Sequence, residues 1–178
     1  MLINIFGRPG VGKSTMALEL TSALKKMGKS AEYVPEYAKE MIYKAHEEPQ
    51  MIERLLAHQL VILANQFQRL YDVSKCVDIV VTDAPLLLNL VYLRADDVIA
   101  HPDSPYELVV KDLHNSFNKK IDFFLKSTHR YEPKGRNQTY EESMQVEERL
   151  QKLSEDVGPF VEITTINEVW DKILKVEF

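Results

Sequence analysis

The sequence is poor in cysteine, in positive charge and in long apolar runs. Its 178 residues include 1 cysteine, Cys76, which excludes an internal disulfide framework and indicates a reducing compartment. The formal net charge of -5 gives no general electrostatic attraction to nucleic acid. No segment approaches the roughly 18 apolar residues that span a bilayer, and no basic segment precedes a signal-like apolar stretch. We therefore expect a cytoplasmic protein without a membrane partner.

The length favours one domain, residues 1–178, and the apolar pattern predicts its fold class. Short β-rich runs alternate with segments of helical period, which is typical of a parallel α/β sheet. The expected architecture has three layers, α/β/α, around a five-stranded parallel sheet. The predicted strands are residues 2–6, 31–34, 77–82, 121–125 and 160–164.

A complete phosphate-binding motif follows the first predicted strand. Residues 7–15 read Gly-Arg-Pro-Gly-Val-Gly-Lys-Ser-Thr and match G-x-x-x-x-G-K-[ST]. Glycines let successive N–H groups face a phosphate, the lysine reaches the β- and γ-phosphates, and the serine hydroxyl binds Mg²⁺. The motif therefore predicts a P-loop NTPase fold that binds ATP and Mg²⁺. The predicted nucleotide-binding residues are Gly7, Gly10, Val11, Gly12, Lys13, Ser14 and Thr15.

Two acidic residues follow predicted strands and should reach the same edge of the sheet. Asp83 ends the strand of residues 77–82, where a carboxylate can hold Mg²⁺, together with Ser14, or orient an attacking hydroxyl. Glu36 follows the second strand, where it can accept the proton of a substrate hydroxyl. The structural alternatives are a helix N-cap for Asp83 and a solvated helix-start residue for Glu36.

Further site residues are expected on a helix and on a charged loop. Tyr37 can contact the substrate, and Gln59 and Gln66 can read a base edge from a long helix; boundary polar residues are the alternative for the two glutamines. Residues 129–150 are predicted to form a lid, because cations on a mobile loop can close over the transferring phosphoryl group. Arg136 is the preferred lid cation, followed by Arg130, and an ordinary solvated loop is the alternative.

These features favour a kinase over other P-loop proteins. The N-K-x-D sequence with which GTPases read their base is absent from the chain. The expected reaction is transfer of the γ-phosphoryl group of Mg·ATP to a nucleoside, riboside or nucleoside monophosphate, with Lys13, Glu36 and Asp83 as catalytic residues. Two alternatives stay open. One is a kinase that acts on a base or an end of DNA or RNA, and the other is a P-loop ATPase switch with a protein partner.

The chain resembles the nicotinamide riboside kinase domains of bifunctional NAD-biosynthesis regulators and the small P-loop ATPase/kinase proteins around them, including phage-encoded ones. The resemblance covers nearly the whole chain. It implies nucleotide binding by Lys13 and Ser14, a metal or hydroxyl role for Asp83, substrate contact by Glu36, and a lid arginine at Arg136. The resemblance rests on residues 7–15, Glu36-Tyr37-Ala38, Gln59, Gln66, Asp83 and Gly135-Arg136.

Overall fold

A computed structural model describes residues 1–44, 56–93, 104–126 and 140–173, with only the backbone at residues 42–44, 56–58 and 140. Five strands form one sheet in the order β2-β3-β1-β4-β5, and every pair of neighbours is parallel. This confirms the expected α/β architecture. The strands are β1 (Leu2–Phe6), β2 (Ala31–Val34), β3 (Ile79–Thr82), β4 (Lys120–Leu125) and β5 (Val161–Ile163).

Helices connect the strands, as parallel pairing requires. None of the helices among the described residues is long and apolar enough to span a membrane. They are α1 (Lys13–Lys26), α2 (Tyr37–Lys44), α3 (Leu56–Ser74), α4 (Leu88–Val91), α5 (Pro105–Asn115), α6 (Tyr140–Val157) and α7 (Ile166–Ile173).

Alternate residues of β1 enter two separate hydrophobic clusters, one on each face of the sheet. Leu2 and Phe6 pack with side chains of α3, α4, α5 and α6. Ile3 and Ile5 pack with side chains of α1 and α7 on the other face. All 5 residues of β1 are buried, because a central parallel strand has helices on both faces. The three-layer arrangement therefore follows from a nearly continuous apolar strand.

Two helices begin at side chains that cap them, as the local sequences Ser104-Pro105-Tyr106-Glu107 and Thr165-Ile166-Asn167-Glu168 predict. Ser104 accepts a hydrogen bond from the Glu107 amide at 3.1 Å, and Pro105 occupies the first turn of α5. At α7, the Glu168 amide donates to Thr165 Oγ1 at 3.4 Å, and the Glu168 carboxylate accepts from the Thr164 amide at 2.6 Å. Both ends satisfy backbone donors that would otherwise lack partners.

The segment around β3 differs from expectation at both of its ends. The strand begins at Ile79 rather than Val77, because the Val77 amide donates to the Val73 carbonyl at 3.1 Å and so is bound to the last turn of α3 instead of to a neighbouring strand. Beyond the strand, the short helix α4 was not expected. Leu86 and Leu87 are fully buried beside it, so this apolar run forms part of the core.

Candidate active site

The phosphate-binding loop joins β1 to α1 and requires glycine at two positions. Gly7 has φ 149°, and a Cβ there would lie 2.8 Å from the Leu125 carbonyl oxygen. Gly12 has φ 100° and is the N-cap of α1. Residues with a side chain rarely adopt either backbone conformation, so the loop can turn this tightly only with glycine at these two positions. The first turn of α1 contains no acidic residue, which leaves its positive dipole end suited to an anion.

Lys13 is the first residue of α1 and turns back over the loop. Its ammonium donates to the Gly7 carbonyl at 2.9 Å and to the Arg8 carbonyl at 3.1 Å. The side chain is half-buried, so its charge is held at the loop rather than in bulk water. A phosphate on the loop would therefore meet a fixed positive charge as well as the helix N-terminus.

Ser14 and Asp83 meet at the carboxyl edge of the sheet. The Ser14 hydroxyl donates to Asp83 Oδ2, and the Tyr33 hydroxyl donates to Asp83 Oδ1 at 2.8 Å. The Asp83 side chain is 1% exposed. Asp83 does not cap α4, whose N-cap is Leu87 without a side-chain hydrogen bond. The turn after β3 is instead bound by Thr82, whose Oγ1 accepts from the Ala84 amide at 3.1 Å. The Asp83 carboxylate thus faces the phosphate-binding loop.

Lys39 places a second ammonium in this cluster. Its Nζ lies 3.0 Å from Ser14 Oγ, 3.2 Å from Asp83 Oδ2 and 3.4 Å from Glu36 Oε2. Burial alone would lower the pKa of Lys39, but the charges of Asp83 and Glu36 outweigh it and hold the pKa above its usual value. Neither Lys39 nor Tyr33 is among the residues predicted from the sequence. The spacing of Glu36 and Lys39, three residues apart at a helix start, was the available signal for Lys39.

Gln66 ties together the two segments that carry the acidic residues. Its Oε1 accepts from the Tyr37 amide at 2.9 Å, and its Nε2 donates to Thr82 Oγ1 at 3.4 Å. Gln66 therefore fixes the start of α2 against the end of β3. Gln59 lies about two helical turns before Gln66 on α3 and is 5% exposed. For both glutamines, reading a base edge stays a prediction.

Tyr37 has a cation against its ring. The Arg69 guanidinium lies 4.7 Å from the ring centroid and also forms an ion pair with Glu40. These contacts join α2 to α3 and hold the Tyr37 ring in one position. Substrate contact by Tyr37 stays a prediction, as does contact by Glu36, whose carboxylate is 31% exposed.

The predicted lid is only partly within the described residues. Arg130 and Arg136 lie outside them, so their roles stay predictions. Residues 140–150 belong to α6, which contacts the phosphate-binding loop directly.

Arg8 makes that contact, although it occupies a position of the loop where the motif specifies no residue. Its Nε lies 3.1 Å from Glu147 Oε2, and its guanidinium donates to Ser143 Oγ at 3.3 Å. Ser143 Oγ also donates to the Pro9 carbonyl at 3.3 Å. The Arg8 side chain therefore contacts α6 and joins that helix to the phosphate-binding loop.

Replacing Arg8 with methionine is expected to lower the free energy of unfolding by about 2 kcal/mol, because Ser143 and Glu147 would lose their charged partner in a largely buried place. Denaturant unfolding measures the effect. Lys152→Met, at an exposed position of the same helix, is the matched control. A loss below about 0.5 kcal/mol would show that the pair is no stronger than a surface ion pair.

Burial and the neighbouring Asp83 charge raise the pKa of Tyr33 above its usual value. Because the folded-state pKa exceeds the unfolded one, the stabilisation from protonated Tyr33 is complete below about pH 10 and is lost at higher pH. Tyr33→Phe should therefore leave the tyrosinate absorbance of the folded protein unchanged up to about pH 11. In the unfolded protein, the same change should remove one of the 8 tyrosine signals. A reduced tyrosinate signal in the folded variant would contradict the raised pKa.

The oxygens of Ser14 and Asp83 fit a magnesium ion. They converge on one point, since the Lys39 ammonium contacts both, and hydroxyl and carboxylate oxygens are the ligands Mg²⁺ prefers. Among the described residues no group of three or more His, Cys, Asp or Glu side chains could hold a metal. Mg²⁺ is commonly bound by one or two protein ligands together with phosphates and water.

The loop and the parallel sheet define a P-loop fold, which solved nucleoside and nucleotide kinases share. A solved deoxyadenosine kinase from M. mycoides, with dCMP and a flexible dCDP bound, is 18% identical at TM-score 0.58, covering 99% of this chain and 100% of its own. Thymidylate kinase from Ehrlichia chaffeensis is 14% identical at TM-score 0.63, with 98% and 97% covered. The NadR protein in complex with NAD and AMP-PNP is 14% identical at TM-score 0.62; the match covers 99% of this chain and 50% of NadR. At these identities the likeness concerns the fold.

The family is given by a sequence model. A model described as an AAA domain matches residues 2–168, and the chain belongs to this family of P-loop proteins. No curated protein matches the chain significantly.

Proposed function

We propose that the protein is a kinase that transfers the γ-phosphoryl group of Mg·ATP to a small nucleoside, riboside or nucleoside monophosphate. The observation that carries the proposal is the convergence of Ser14, Asp83 and Glu36 around one point beside the phosphate-binding loop. A loop alone would suit any NTPase. A carboxylate beside the serine, with a second carboxylate next to it, supplies what transfer to an acceptor requires.

Each group of the site has a defined task in this reaction. The loop amides and the N-terminus of α1 bind the β- and γ-phosphates, and Lys13 adds a positive charge where negative charge develops. Ser14 and Asp83 would hold Mg²⁺, which neutralises charge on the phosphates when it is bound. Tyr33 keeps Asp83 oriented through its hydrogen bond of 2.8 Å.

Glu36 is the candidate base for a hydroxyl acceptor. The acceptor oxygen forms a bond to the γ-phosphorus, the bond from that phosphorus to the β–γ bridging oxygen breaks, and ADP leaves. The hydroxyl proton passes to the Glu36 carboxylate, which is partly exposed and so can reach an acceptor. For a nucleoside monophosphate, a phosphate oxygen attacks and no proton need be removed.

The comparisons support this class of acceptor. Proteins with the same fold include a deoxyadenosine kinase, a thymidylate kinase and a protein solved with NAD and AMP-PNP. Their names include a deoxynucleoside, a nucleoside monophosphate and a dinucleotide, all of which contain a pentose sugar. The likeness in fold therefore supports an acceptor among nucleosides, ribosides and nucleoside monophosphates.

The test is incubation with Mg²⁺ and ATP against a panel of acceptors, followed by measurement of ADP and of product mass. The panel contains nicotinamide riboside, common and modified nucleosides, their monophosphates, and single- and double-stranded DNA. A gain of one phosphoryl group on one small acceptor is the expected result. Equal ADP formation with every acceptor and no mass gain would contradict the kinase and favour an ATPase switch. A gain on DNA alone would move the acceptor to a polynucleotide.

A further inference from the structure

Lys39 occupies the point on which the proposed metal ligands converge. Its ammonium contacts Ser14 Oγ at 3.0 Å and Asp83 Oδ2 at 3.2 Å, the two oxygens assigned to the metal. A third oxygen, Glu36 Oε2, lies 3.4 Å from the same ammonium. The lysine therefore bridges the metal ligands and the candidate base.

We propose that Lys39 and the divalent cation are alternative occupants of the same two oxygens, and that Lys39 moves onto Glu36 when the cation binds with its nucleotide. The proposal rests on the function proposed above in one respect only, the assignment of Ser14 and Asp83 to the metal. It makes Lys39 a positioning residue, which acts through Asp83 and Glu36.

Charge explains why one cation must hold this place. The Asp83 side chain is 1% exposed, and a buried carboxylate is costly without a charged partner. The Tyr33 hydroxyl is a neutral donor and does not cancel the charge. Lys39, which carries a full charge at neutral pH, does cancel it.

Charge also explains why the two cations exclude each other. An ammonium and a divalent ion bound to the same carboxylate oxygen would repel strongly in a site of low dielectric. Lys39 can leave without losing its ion pair, because Glu36 already lies within 4 Å and the lysine side chain is 43% exposed. The exchange needs a movement of the flexible side chain and no change in the backbone.

This competition has a functional consequence. A free divalent ion must displace Lys39 and gains only two protein oxygens as ligands. Its affinity for the site is therefore lowered. A divalent ion that arrives on a nucleotide brings phosphate ligands with it, and its binding is favoured. Lys39 thus makes the site select the metal–nucleotide complex over the free metal.

The test is a titration of the protein with Mn²⁺ in place of Mg²⁺, read by the electron spin resonance of free Mn²⁺, without nucleotide. Lys39→Met should bind Mn²⁺ at least about tenfold more tightly than the unaltered chain, as expected on removing a close like charge. Lys39→Arg, which keeps the charge, should retain weak binding. Lys25→Met, which removes an exposed lysine paired with Glu32, is the matched control and should change nothing.

Unchanged or weaker Mn²⁺ binding in Lys39→Met would overturn the proposal, and so would a failure of every variant to bind Mn²⁺. A second measurement observes Lys39 in the unaltered chain, and a variant serves only to assign its signal. In protein labelled with ¹⁵N-lysine, the Lys39 ammonium signal, assigned by its loss in Lys39→Arg, should shift when Mg²⁺ is added to the ADP-bound protein. An unmoved signal would also overturn the proposal. Since neither measurement requires phosphoryl transfer, failure of the acceptor panel would leave both results interpretable.

Discussion

Replacing Lys13 with alanine is expected to reduce the rate of phosphoryl transfer by about 10³-fold or more while the fold stays intact. The Lys13 ammonium lies 2.9 Å and 3.1 Å from two carbonyls of the phosphate-binding loop, so its charge is fixed beside the bound phosphates. Alanine removes that charge where negative charge builds up in the transition state. Alanine is a good helix former, and loss of the lysine side chain from the first turn of α1 disturbs no apolar packing. The free energy of unfolding should therefore fall by only about 1 kcal/mol.

The measurement is the steady-state rate with the acceptor that the panel identifies, together with thermal unfolding of the same sample. Lys26→Ala is the matched control, because Lys26 lies exposed in the last turn of the same helix. Lys13→Arg should also be severely impaired, since a planar guanidinium cannot replace a compact ammonium against two carbonyls. Turnover of Lys13→Ala near the unaltered rate would contradict the proposed mechanism.

The parts of the fold that follow from the sequence are those set by local apolar patterns. β1 and β2 begin and end at the predicted residues, because each is a short run bounded by residues that end strands. The helix starts at Ser104 and Thr165 follow from side chains that cap their own backbone. α4 could not be foreseen in this way, since its four residues make no helical period and its burial depends on α5 and α6.

The candidate site shows a similar division. Ser14, Glu36 and Asp83 could be placed together from the sequence because each follows a strand of a parallel sheet, and parallel strands end at one edge. Tyr33 lies inside β2, and its contact with Asp83 depends on the pairing of β2 with β3, in which Val34 is opposite Thr82. A single sequence does not contain that register.

Arg8 and Lys39 show why charged side chains are the hardest to place. Both lie next to predicted phosphate or substrate residues, yet they contact different partners. Arg8 contacts Glu147 on α6, far away in the sequence, whereas Lys39 contacts Asp83 in the candidate site. Nothing in the local sequence distinguishes these directions, because long flexible cations go to whichever carboxylate the tertiary fold brings near.

Replacing Asp83 with asparagine is expected to lower kcat by about 10² to 10³-fold while changing the affinity for ATP by less than about tenfold. The amide has nearly the shape of the carboxylate but lacks its charge, so it can no longer help to hold Mg²⁺. ATP itself would still bind through the loop amides and Lys13. The loss should therefore appear in the chemical step rather than in nucleotide binding.

Separate measurements of ATP affinity and of kcat test this expectation. Asp78→Asn is the matched control, because Asp78 is exposed and lies just before the opposite end of the same strand, β3. The stability of Asp83→Asn should stay close to that of the unaltered chain, since Lys39 retains Glu36 as a partner. A near-normal kcat would show that Asp83 serves only to fix Ser14 and Tyr33 through their hydrogen bonds. A loss of ATP affinity with an unchanged kcat would instead place Asp83 in ground-state binding of the nucleotide, because removing an interaction made equally in both states lowers affinity and leaves the chemical step unchanged.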